Sequence, residues 1–509
     1  MVKADLYVAA AEDTCGGLRV ASTSTTRIPF LATRPLLKNT NYIQHEINAY
    51  PSVVMIPESD ICVQSEIGRL RKVLVHAPDD GIGKIFPLKA QDWLFEDIID
   101  LYGARNNEYK LFVQVLYAFL DSKNLYKFDN LKNLDPKSAD FPRSDYCIDI
   151  QWLLSDILEN ETVRAYIVSS ICTLESVSYS SFLNLLTLPS RQLANTLISG
   201  TLPNDKMLFS PVPNMMMTRD IGVIINDHIM IGKPAKDARK REAVIMKFIV
   251  FNHPMFAAYR DKVIDLTDNE SFFLMDDERQ EDCRVTMEGG DFLMLAPNHL
   301  AIGVSERTSM SACKKLMRFL FKNKIVEKVT LIELPTERYC MHLDTVITQI
   351  SKGMWVVFSP LCGRILKGNQ SSFDQAFQKD VDLNIEQFSS KDDVIQCKAF
   401  SCLEDFLTDV IRTDLEWKGE IDFIMSGGGK FPDAWREQWT DACNVFAIKP
   451  GVILTYDRNR STIEAFKERG KINVDQLENT VITIPSAELS RARGGSHCMT
   501  QPLFRDALV

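Results

Sequence analysis

A pattern of strand, short turn and strand recurs along the second half of this chain and limits the folds that it can adopt. Four segments carry the pattern: IGVIINDHIMIG, DFLMLAPNHLAIGVS, TVITQISKGMWVVFS and NVFAIKPGVILTYD. Each contains two apolar runs separated by Asn, Asp, Gly or Pro, which are the residues that a β-hairpin turn needs. The chain is therefore predicted to contain a series of related hairpins.

Helical periodicity follows three of these hairpins. The segments KDARKREAVIMKFI, RTSMSACKKLMRFLF and RSTIEAFKER place apolar residues three or four positions apart. Two of the units then end in a further strand, VTLIELP or TVITIP, and LRKVLVHAP has the pattern of part of an earlier copy. The repeat is ββαβ-like. Such units arranged about an axis predict a propeller-like α/β ring in which equivalent strand edges meet at one centre.

Two other stretches differ from the repeats. Residues 1–64 are rich in Ser and Thr with interrupting Pro, as in VASTSTTRIPFLATRP, which favours a partly flexible N-terminal extension. Residues 106–203 space Leu, Ile and Phe as helices do, which predicts an all-helical insert. The expected organisation is an extension over 1–64, a main α/β domain over 65–509, and the insert within that domain.

Composition excludes several classes of partner and location. With 45% apolar and 25% charged residues, the 509-residue chain has the composition of an ordinary globular protein. Its net charge of -10 argues against binding to nucleic acid or to anionic membrane surfaces. The 12 cysteines include no C-x-x-C pair, and no apolar run is long enough to span a bilayer. A cytoplasmic protein with free thiols is expected.

Acidic residues and a histidine stand just before or at the first strands of successive hairpins. These residues are Asp220, Glu288, His342 and Asp344. If the hairpins form a ring, the starts of their first strands lie at one end of the molecule. The glycine-rich tail RARGGSHCMT can bring Cys498 to the same place, because its glycines allow a close approach of backbone to a crowded site.

The motifs PNMMMTRD, MEGGDFL, SERTS, CMHLDT and RGGSHCM resemble, in this order, the motif series of the arginine deiminase family. That family belongs to the guanidino-modifying superfamily, whose pentein fold is a fivefold pseudo-symmetric α/β propeller. SEIGRLRKVLVHAP resembles the N-terminal opening of the family, which also carries a helical insert at the position of residues 106–203. The resemblance covers roughly residues 65 to 507.

The resemblance implies a role for each residue of the central set. Cys498 is the implied nucleophile, His342 is the acid and base, and Asp220, Glu288 and Asp344 hold the guanidinium of the substrate. A planar cationic guanidinium independently requires acceptors that match the geometry of its N–H groups. The implied reaction converts L-arginine and water to L-citrulline and ammonia through a covalent intermediate on the cysteine. The family needs no metal or cofactor, and a homo-oligomer is implied.

Further residues are assigned to substrate binding by the same resemblance. These candidates are Asn214, Arg239, Arg307, Asp291, Arg493 and Gly495. Arg239 and Arg307 match the arginines that bind the carboxylate of the substrate, and Asn214 matches a position that helps bind its amino-acid end. Asp291 either binds substrate or holds the turn after two glycines. Arg493 is expected to order the loop that carries the cysteine.

Two positions depart from the pattern of the family. Met217 stands where the family usually has an aromatic residue, and His497 stands where it usually has arginine. The tail is closer to those of agmatine deiminases and amidinotransferases, so His497 can affect gating of the site or the fate of the intermediate. The alternatives are therefore an amidinotransferase, an arginine dihydrolase, an agmatine deiminase, or a non-catalytic arginine-binding protein.

Overall fold

The computed structural model describes residues 61–95, 97–124, 135–138, 140–363, 383–391, 394–469 and 480–508. Most of the predicted N-terminal extension, and residues 125–134 and 139 of the predicted insert, lie outside these ranges.

The described strands are β1 (Leu70–Val75), β2 (Cys147–Asp149), β3 (Gly222–Ile225), β4 (His228–Ile231), β5 (Val263–Ile264), β6 (Phe292–Ala296), β7 (His299–Val304), β8 (Lys328–Glu333), β9 (Ile347–Ser351), β10 (Met354–Val357), β11 (Ile385–Lys391), β12 (Val394–Phe400), β13 (Asp422–Met425), β14 (Phe446–Lys449), β15 (Val452–Tyr456), β16 (Thr480–Ile484) and β17 (Gln501–Arg505).

The described α-helices are α1 (Lys110–Leu120), α2 (Ile150–Ile157), α3 (Glu161–Leu174), α4 (Tyr179–Leu186), α5 (Ser190–Ser199), α6 (Lys240–Asn252), α7 (Asp277–Cys283), α8 (Met310–Lys322), α9 (Leu403–Asp409), α10 (Asp433–Trp439) and α11 (Arg460–Glu468). Short 3-10 turns, among them Gly289–Asp291 and Leu343–Thr345, precede several of the strands.

The described strands form five sheets that share one arrangement. Each sheet contains an antiparallel pair and a third strand that lies parallel to the second member of that pair. The five sets are β17–β1–β2, β3–β4–β5, β6–β7–β8, β9–β10–β13 and β14–β15–β16. Parallel neighbours need a crossover connection, and α6, α8 and α11 lie in three of these connections. The fold is of the mixed α/β class.

All four hairpins predicted from the sequence are present. They are β3–β4, β6–β7, β9–β10 and β14–β15, each with a two-residue turn. Asn226 and Gly451 adopt positive φ angles of 52° and 79° in two of these turns. Short hairpin turns need this left-handed conformation, and Asn and Gly tolerate it better than other residues do.

The first sheet corrects the prediction for residues 106–203. β1, which comes from the LRKVLVHAP segment, pairs antiparallel with β17 and parallel with β2. Because β2 lies at Cys147–Asp149, the expectation that residues 106–203 are helical throughout is wrong there. A three-residue strand has too little periodicity to be recognised locally, and pairing with Val73–Val75 specifies it. Asp149 then caps α2 by accepting a hydrogen bond from Gln151 N at 2.8 Å.

The amphipathic pattern of the connecting helices fixes them against the sheets. In α8, Ala312, Cys313, Leu316 and Leu320 are fully buried, and Ser309 caps the helix by accepting from Ala312 N at 3.2 Å.

The third sheet is extended by β11 and β12, which pair antiparallel beyond β8. No helix in the described part of the chain is both long and apolar enough to cross a bilayer.

Candidate active site

Five turns that precede β17, β3, β6, β9 and β14 are joined to one another by hydrogen bonds. The bonds run from Arg219 N to Cys498 O (3.0 Å), Gly289 N to Asp220 O (3.0 Å), Leu343 N to Asp291 Oδ1 (2.9 Å), Asn444 Nδ2 to Asp344 O (3.1 Å) and Cys498 N to Asn444 Oδ1 (2.9 Å). The bonds form a closed circuit through all five sheets. Residues more than 250 positions apart in the chain therefore share one buried centre.

His342 lies between two of the predicted acids in this centre. Its Nε2 is 3.0 Å from Glu288 Oε2, and its Nδ1 is 3.6 Å from Asp220 Oδ1. All three side chains are at most 5% exposed. A Cβ atom on Gly290 would lie 2.8 Å from His342 Nδ1, so the second glycine of the MEGGDFL motif makes room for the imidazole.

The charges in this cluster shift the pKa values of its members. Burial acts to lower the pKa of His342, but the negative charge of Asp220 and the hydrogen bond to Glu288 raise it to about 9. Burial acts to raise the pKa of Glu288, and the positive charges of Arg239 and Arg307 together with His342 hold it well below its ordinary value. These shifts favour a protonated His342 beside an ionised Glu288.

The side chain of Arg239 contacts the same acids. Its Nη1 donates to Asp220 Oδ2 at 2.6 Å and to Glu288 Oε2 at 3.1 Å. Its Nε and Nη2 donate to Glu242 Oε2 at 3.0 and 2.7 Å. Arg239 is 4% exposed. The structure places its guanidinium against buried acids, whereas the sequence predicted that it contacts the carboxylate of the substrate.

Arg307 and Asn214, the other residues predicted to bind the amino-acid end of a substrate, lie beside this cluster. Arg307 Nη1 is 3.5 Å from Glu288 Oε2, and its Nε donates to Glu306 Oε1 at 2.9 Å. The Asn214 side chain donates to Trp93 O at 3.0 Å, and its backbone carbonyl accepts from Arg239 Nη2 at 3.4 Å. Both side chains are at most 9% exposed.

Cys498 and Asp344 face each other in the other part of the centre. The thiol Sγ lies 3.6 Å from Asp344 Oδ2, and Cys498 is 2% exposed. Burial raises the pKa of the Cys498 thiol well above its ordinary value, and the negative charges of Asp344, Asp220 and Asp441 add to this effect. These effects favour the protonated thiol, whereas a cation bound beside it would favour the thiolate.

His497, one of the two departures from the family pattern, supports Asp344. Its Nδ1 lies 2.7 Å from Asp344 Oδ2, and its Nε2 lies 3.2 Å from Glu66 Oε2. Burial acts to raise the pKa of Asp344, but the hydrogen bond and charge of His497 lower it overall. Met217, the second departure, is 3% exposed and packs against the cysteine loop, since a Cβ on Gly494 would lie 2.5 Å from Met217 Sδ.

The loop before Cys498 is fixed by several contacts. Gly495 N donates to Asn444 Oδ1 at 3.0 Å, and Gly494 N donates to Asp441 Oδ2 at 2.8 Å. The Arg493 guanidinium carbon lies 3.9 Å from the centroid of the Trp439 ring, a cation–π arrangement. The role of Arg493 in ordering this loop stays a prediction.

Both carboxylate oxygens of Asp291 bind the protein. Oδ1 accepts from Leu343 N at 2.9 Å, and Oδ2 accepts from Ser305 Oγ at 2.7 Å. Burial raises the pKa of Asp291 to about 7 despite the opposing charge of His342. Asp291 is thus bonded to the turn that carries His342 and Asp344, and both interpretations of its role stay predictions.

Asp220, Glu288 and His342 also have the composition of a metal site. One ligand atom from each lies within 4.8 Å of the others. In this structure, however, the guanidinium of Arg239 donates hydrogen bonds to both carboxylates and supplies the positive charge that balances them. The cluster therefore suits a planar cation that binds through N–H groups.

Sequence reasoning missed several residues of this centre, namely Asn444, Asp441, Glu66 and Glu242. Asn444 precedes β14, as Asp220 precedes β3, so the rule that located the acids before the other hairpins applies to it as well. Glu66, Glu242 and Asp441 have no comparable signal, because they reach the centre only through tertiary contacts.

The raised pKa of His342 predicts how stability depends on pH. The pKa rises from 6.5 to about 9 on folding, so the stabilisation by protonated His342 is complete below pH 6.5 and is lost as the pH rises through 9. The free energy of unfolding is expected to fall over this range by an amount on the order of 3 kcal/mol. Urea unfolding at the two ends of the range measures it.

A matched pair of variants checks the assignment of this effect. His342→Gln is expected to reduce the pH-dependent loss, whereas His228→Gln, in the β3–β4 hairpin outside the cluster, is expected to retain it. An unchanged pH dependence in the His342→Gln protein would contradict the assignment.

Comparison with known proteins agrees with the geometry. The arginine deiminase family model matches residues 153–505. An arginine deiminase of Staphylococcus aureus strain JH9 is 33% identical over 469 residues, which cover 88% of this chain and 99% of that protein. The arginine deiminase of strain MRSA252 is 31% identical over 472 residues, with the same coverage of 88% and 99%.

Among solved structures, SxtG, an amidinotransferase from Microseira wollei in the saxitoxin biosynthetic pathway, is 11% identical to this chain. The match covers 88% of this chain and 98% of that chain, with a TM-score of 0.46. The family model and the curated relatives match most of the chain, and the candidate residues of the motifs named above meet in one buried centre. On this evidence the chain belongs to the arginine deiminase family.

Proposed function

We propose that this protein hydrolyses L-arginine to L-citrulline and ammonia. One observation carries the proposal: the buried acids Asp220 and Glu288 already bind a guanidinium, that of Arg239, at 2.6 and 3.1 Å. Beside them lie an imidazolium and, on the far side of the centre, a cysteine thiol. The relatives, which are a third identical over nearly their whole length, are arginine deiminases.

The substrate guanidinium is held by Asp220, Glu288 and Asp344 in this proposal. Carboxylates on different sides of a planar cation fix its orientation through several N–H groups. Asp344 also lies 3.6 Å from Cys498 Sγ, so a guanidinium bound to Asp344 has its central carbon near the thiol. This orientation sets up attack on that carbon.

Arginine binding requires Arg239 to release Asp220 and Glu288. The entering guanidinium then replaces the guanidinium of Arg239 at these two acids, so the charge balance of the cluster is kept. Arg239 is freed to face the carboxylate of the substrate, the role that the sequence assigned to it. Arg307 and Asn214, both next to the cluster, complete the binding of the amino-acid end.

The first half of the reaction forms a covalent intermediate. The bound cation lowers the pKa of the Cys498 thiol, which loses its proton to solvent, and the thiolate attacks the guanidinium carbon to form a C–S bond. His342 donates its proton to one terminal nitrogen, and the C–N bond breaks to release ammonia. The remaining amidino group stays on the sulfur as a thiouronium.

The second half of the reaction hydrolyses this intermediate. Neutral His342 removes a proton from a water molecule, which attacks the same carbon. The C–S bond then breaks, and its electron pair returns to sulfur. The new hydroxyl group passes its proton to the thiolate, which restores the Cys498 thiol, and citrulline leaves. The balance is one arginine cation and one water molecule to citrulline and ammonium, which requires no redox agent or cofactor.

Product analysis of the purified full chain with L-arginine tests this function. We expect citrulline and ammonia in equal amounts, without ornithine. Transfer of the amidino group to an added amine would indicate an amidinotransferase. Ornithine with two equivalents of ammonia would indicate a dihydrolase, and binding of arginine without any product would indicate a non-catalytic arginine-binding protein.

The proposal extends to organisation. We propose that the five sheets close into a fivefold pseudo-symmetric α/β propeller, supported by the closed circuit of hydrogen bonds among the five turns. The catalytic domain spans 65–509, and residues 106–203 form an insert that also supplies β2. The protein is cytoplasmic and homo-oligomeric in this proposal, and the free thiols of all described cysteines are compatible with a reducing compartment.

A further inference from the structure

Asn444 is the residue of the fifth turn, and its whole side-chain amide is engaged at the centre. Oδ1 accepts from Gly495 N at 3.0 Å and from Cys498 N at 2.9 Å. Nδ2 donates to Asp344 O at 3.1 Å. With 1% exposure, Asn444 joins the backbone of the cysteine loop to the backbone of the acid that faces the thiol.

The cysteine loop is shaped around this asparagine. The backbone carbonyl of Asn444 accepts from His497 N and from Ser496 Oγ, each at 3.3 Å. A Cβ atom on Gly495 would lie 2.6 Å from Asn444 O and 2.8 Å from its Oδ1. Any side chain at position 495 would therefore displace the loop from Asn444, which explains why the sequence has glycine there.

A neutral amide at this position supplies both an acceptor and a donor without adding charge beside the thiol. Burial and the charges of Asp344, Asp220 and Asp441 raise the pKa of the Cys498 thiol. An aspartate would keep the shape and the acceptor atom of Asn444. It would lose the donor to Asp344 O and add another negative charge beside the thiol.

We propose that Asn444 is a positioning residue for the nucleophile, holding the loop of Cys498 against the backbone of Asp344 through its side-chain amide. The inference rests on the proposed role of Cys498. The turn before β14 thereby contributes Asn444 to the centre. The turns before the other four first strands contribute acids or the cysteine at the equivalent position.

The test compares Asn444→Asp with Asn226→Asp. Both changes are isosteric and remove an amide donor to backbone carbonyls, since Asn226 Nδ2 donates to Pro297 O at 2.9 Å and to Ile325 O at 2.7 Å. Asn226 lies in the β3–β4 turn, at the opposite end of that hairpin from Asp220. The measurements are kcat and KM for L-arginine, Tm, and the thiol pKa from thiolate ultraviolet absorbance against a Cys498→Ser blank.

For Asn444→Asp we expect kcat to fall at least about a hundredfold, as when a preorganised donor is removed from a catalytic site. KM is expected to change less than about threefold, because the groups that bind arginine are retained. The thiol pKa is expected to rise by about 1 or more, the effect of an added nearby anion. Asn226→Asp is expected to lower Tm without changing kcat or the thiol pKa.

The proposal is overturned if Asn444→Asp keeps wild-type kcat and thiol pKa, or if Asn226→Asp impairs both equally. Should the aspartate variant fail to fold, Asn444→Ala is judged by the kcat criterion alone, because it adds no charge beside the thiol. The Cys498→Ser protein distinguishes a failure of the proposed nucleophile from a failure of the proposed role of Asn444. Citrulline formation by that variant would refute the proposed nucleophile, whereas an inactive blank with a normal Asn444→Asp protein would refute only the role of Asn444.

Discussion

Replacing Cys498 with serine is expected to abolish citrulline formation while leaving the fold and the binding of arginine intact. The thiol is the group that faces Asp344, at 3.6 Å, and it attacks as a thiolate. A serine hydroxyl in the same place has no accessible anion at neutral pH, and His342 already carries a proton. We expect kcat to fall at least about ten-thousandfold, as when a catalytic nucleophile is removed.

Calorimetry and a buried-cysteine control complete this experiment. Titration calorimetry on Cys498→Ser is expected to show arginine binding, because the carboxylates that hold the guanidinium are unchanged. Cys172→Ser replaces another buried cysteine, in α3, and is expected to retain wild-type kcat. Citrulline formation by the Cys498→Ser protein would contradict the proposed role of Cys498. An equal fall of kcat in the Cys172→Ser protein would contradict it as well.

L-Arginine is expected to be preferred over agmatine by at least about a thousandfold in kcat/KM, as where a buried polar group loses its partner. Agmatine has the same guanidinium but lacks the carboxylate. Arg239 and Arg307 are 4% and 2% exposed, so an unpaired guanidinium in the bound complex would remain buried. His497 does not oppose this preference, because its ring contacts Asp344 and Glu66 within the centre.

Two arginine variants test the origin of the preference. Arg307→Ala is expected to lower the ratio of kcat/KM for L-arginine to kcat/KM for agmatine, because it impairs turnover of arginine much more than that of agmatine. Arg458→Ala changes an exposed arginine that follows β15, as Arg307 follows β7, and is expected to leave the ratio unchanged. Similar kcat/KM values for the two substrates in the wild-type protein would favour an agmatine deiminase.

Much of the centre was predictable because its residues occupy equivalent positions in a repeated unit. Asp220, His342 and Asp344 precede hairpins whose alternating apolar runs and turn residues are local properties of the sequence. The structure places these side chains together with Glu288 and Cys498, as predicted. Their catalytic roles stay predictions until the variants are measured.

Other features depended on contacts between distant segments. Arg239 was assigned to the substrate's carboxylate, yet here its guanidinium lies against Asp220, Glu288 and Glu242. The sequence does not show whether Arg239 binds the carboxylate of the substrate or the acids of the protein, because both arrangements place a buried arginine near acids. The same applies to Asp291, whose two hydrogen bonds to Leu343 N and Ser305 Oγ are visible only once the turns are packed.

The sequence by itself determined the hairpins, most of the helices and the residue types of the centre, since periodicity and turn chemistry act over a few residues. Only the tertiary structure decided that β2 interrupts the helical stretch and that Asn444 joins Cys498 to Asp344. The bonds of Asn444 to these two residues span 54 and 100 positions in the chain. Contacts of that length leave no periodic signal, because they exist only after the five sheets have brought their first strands together.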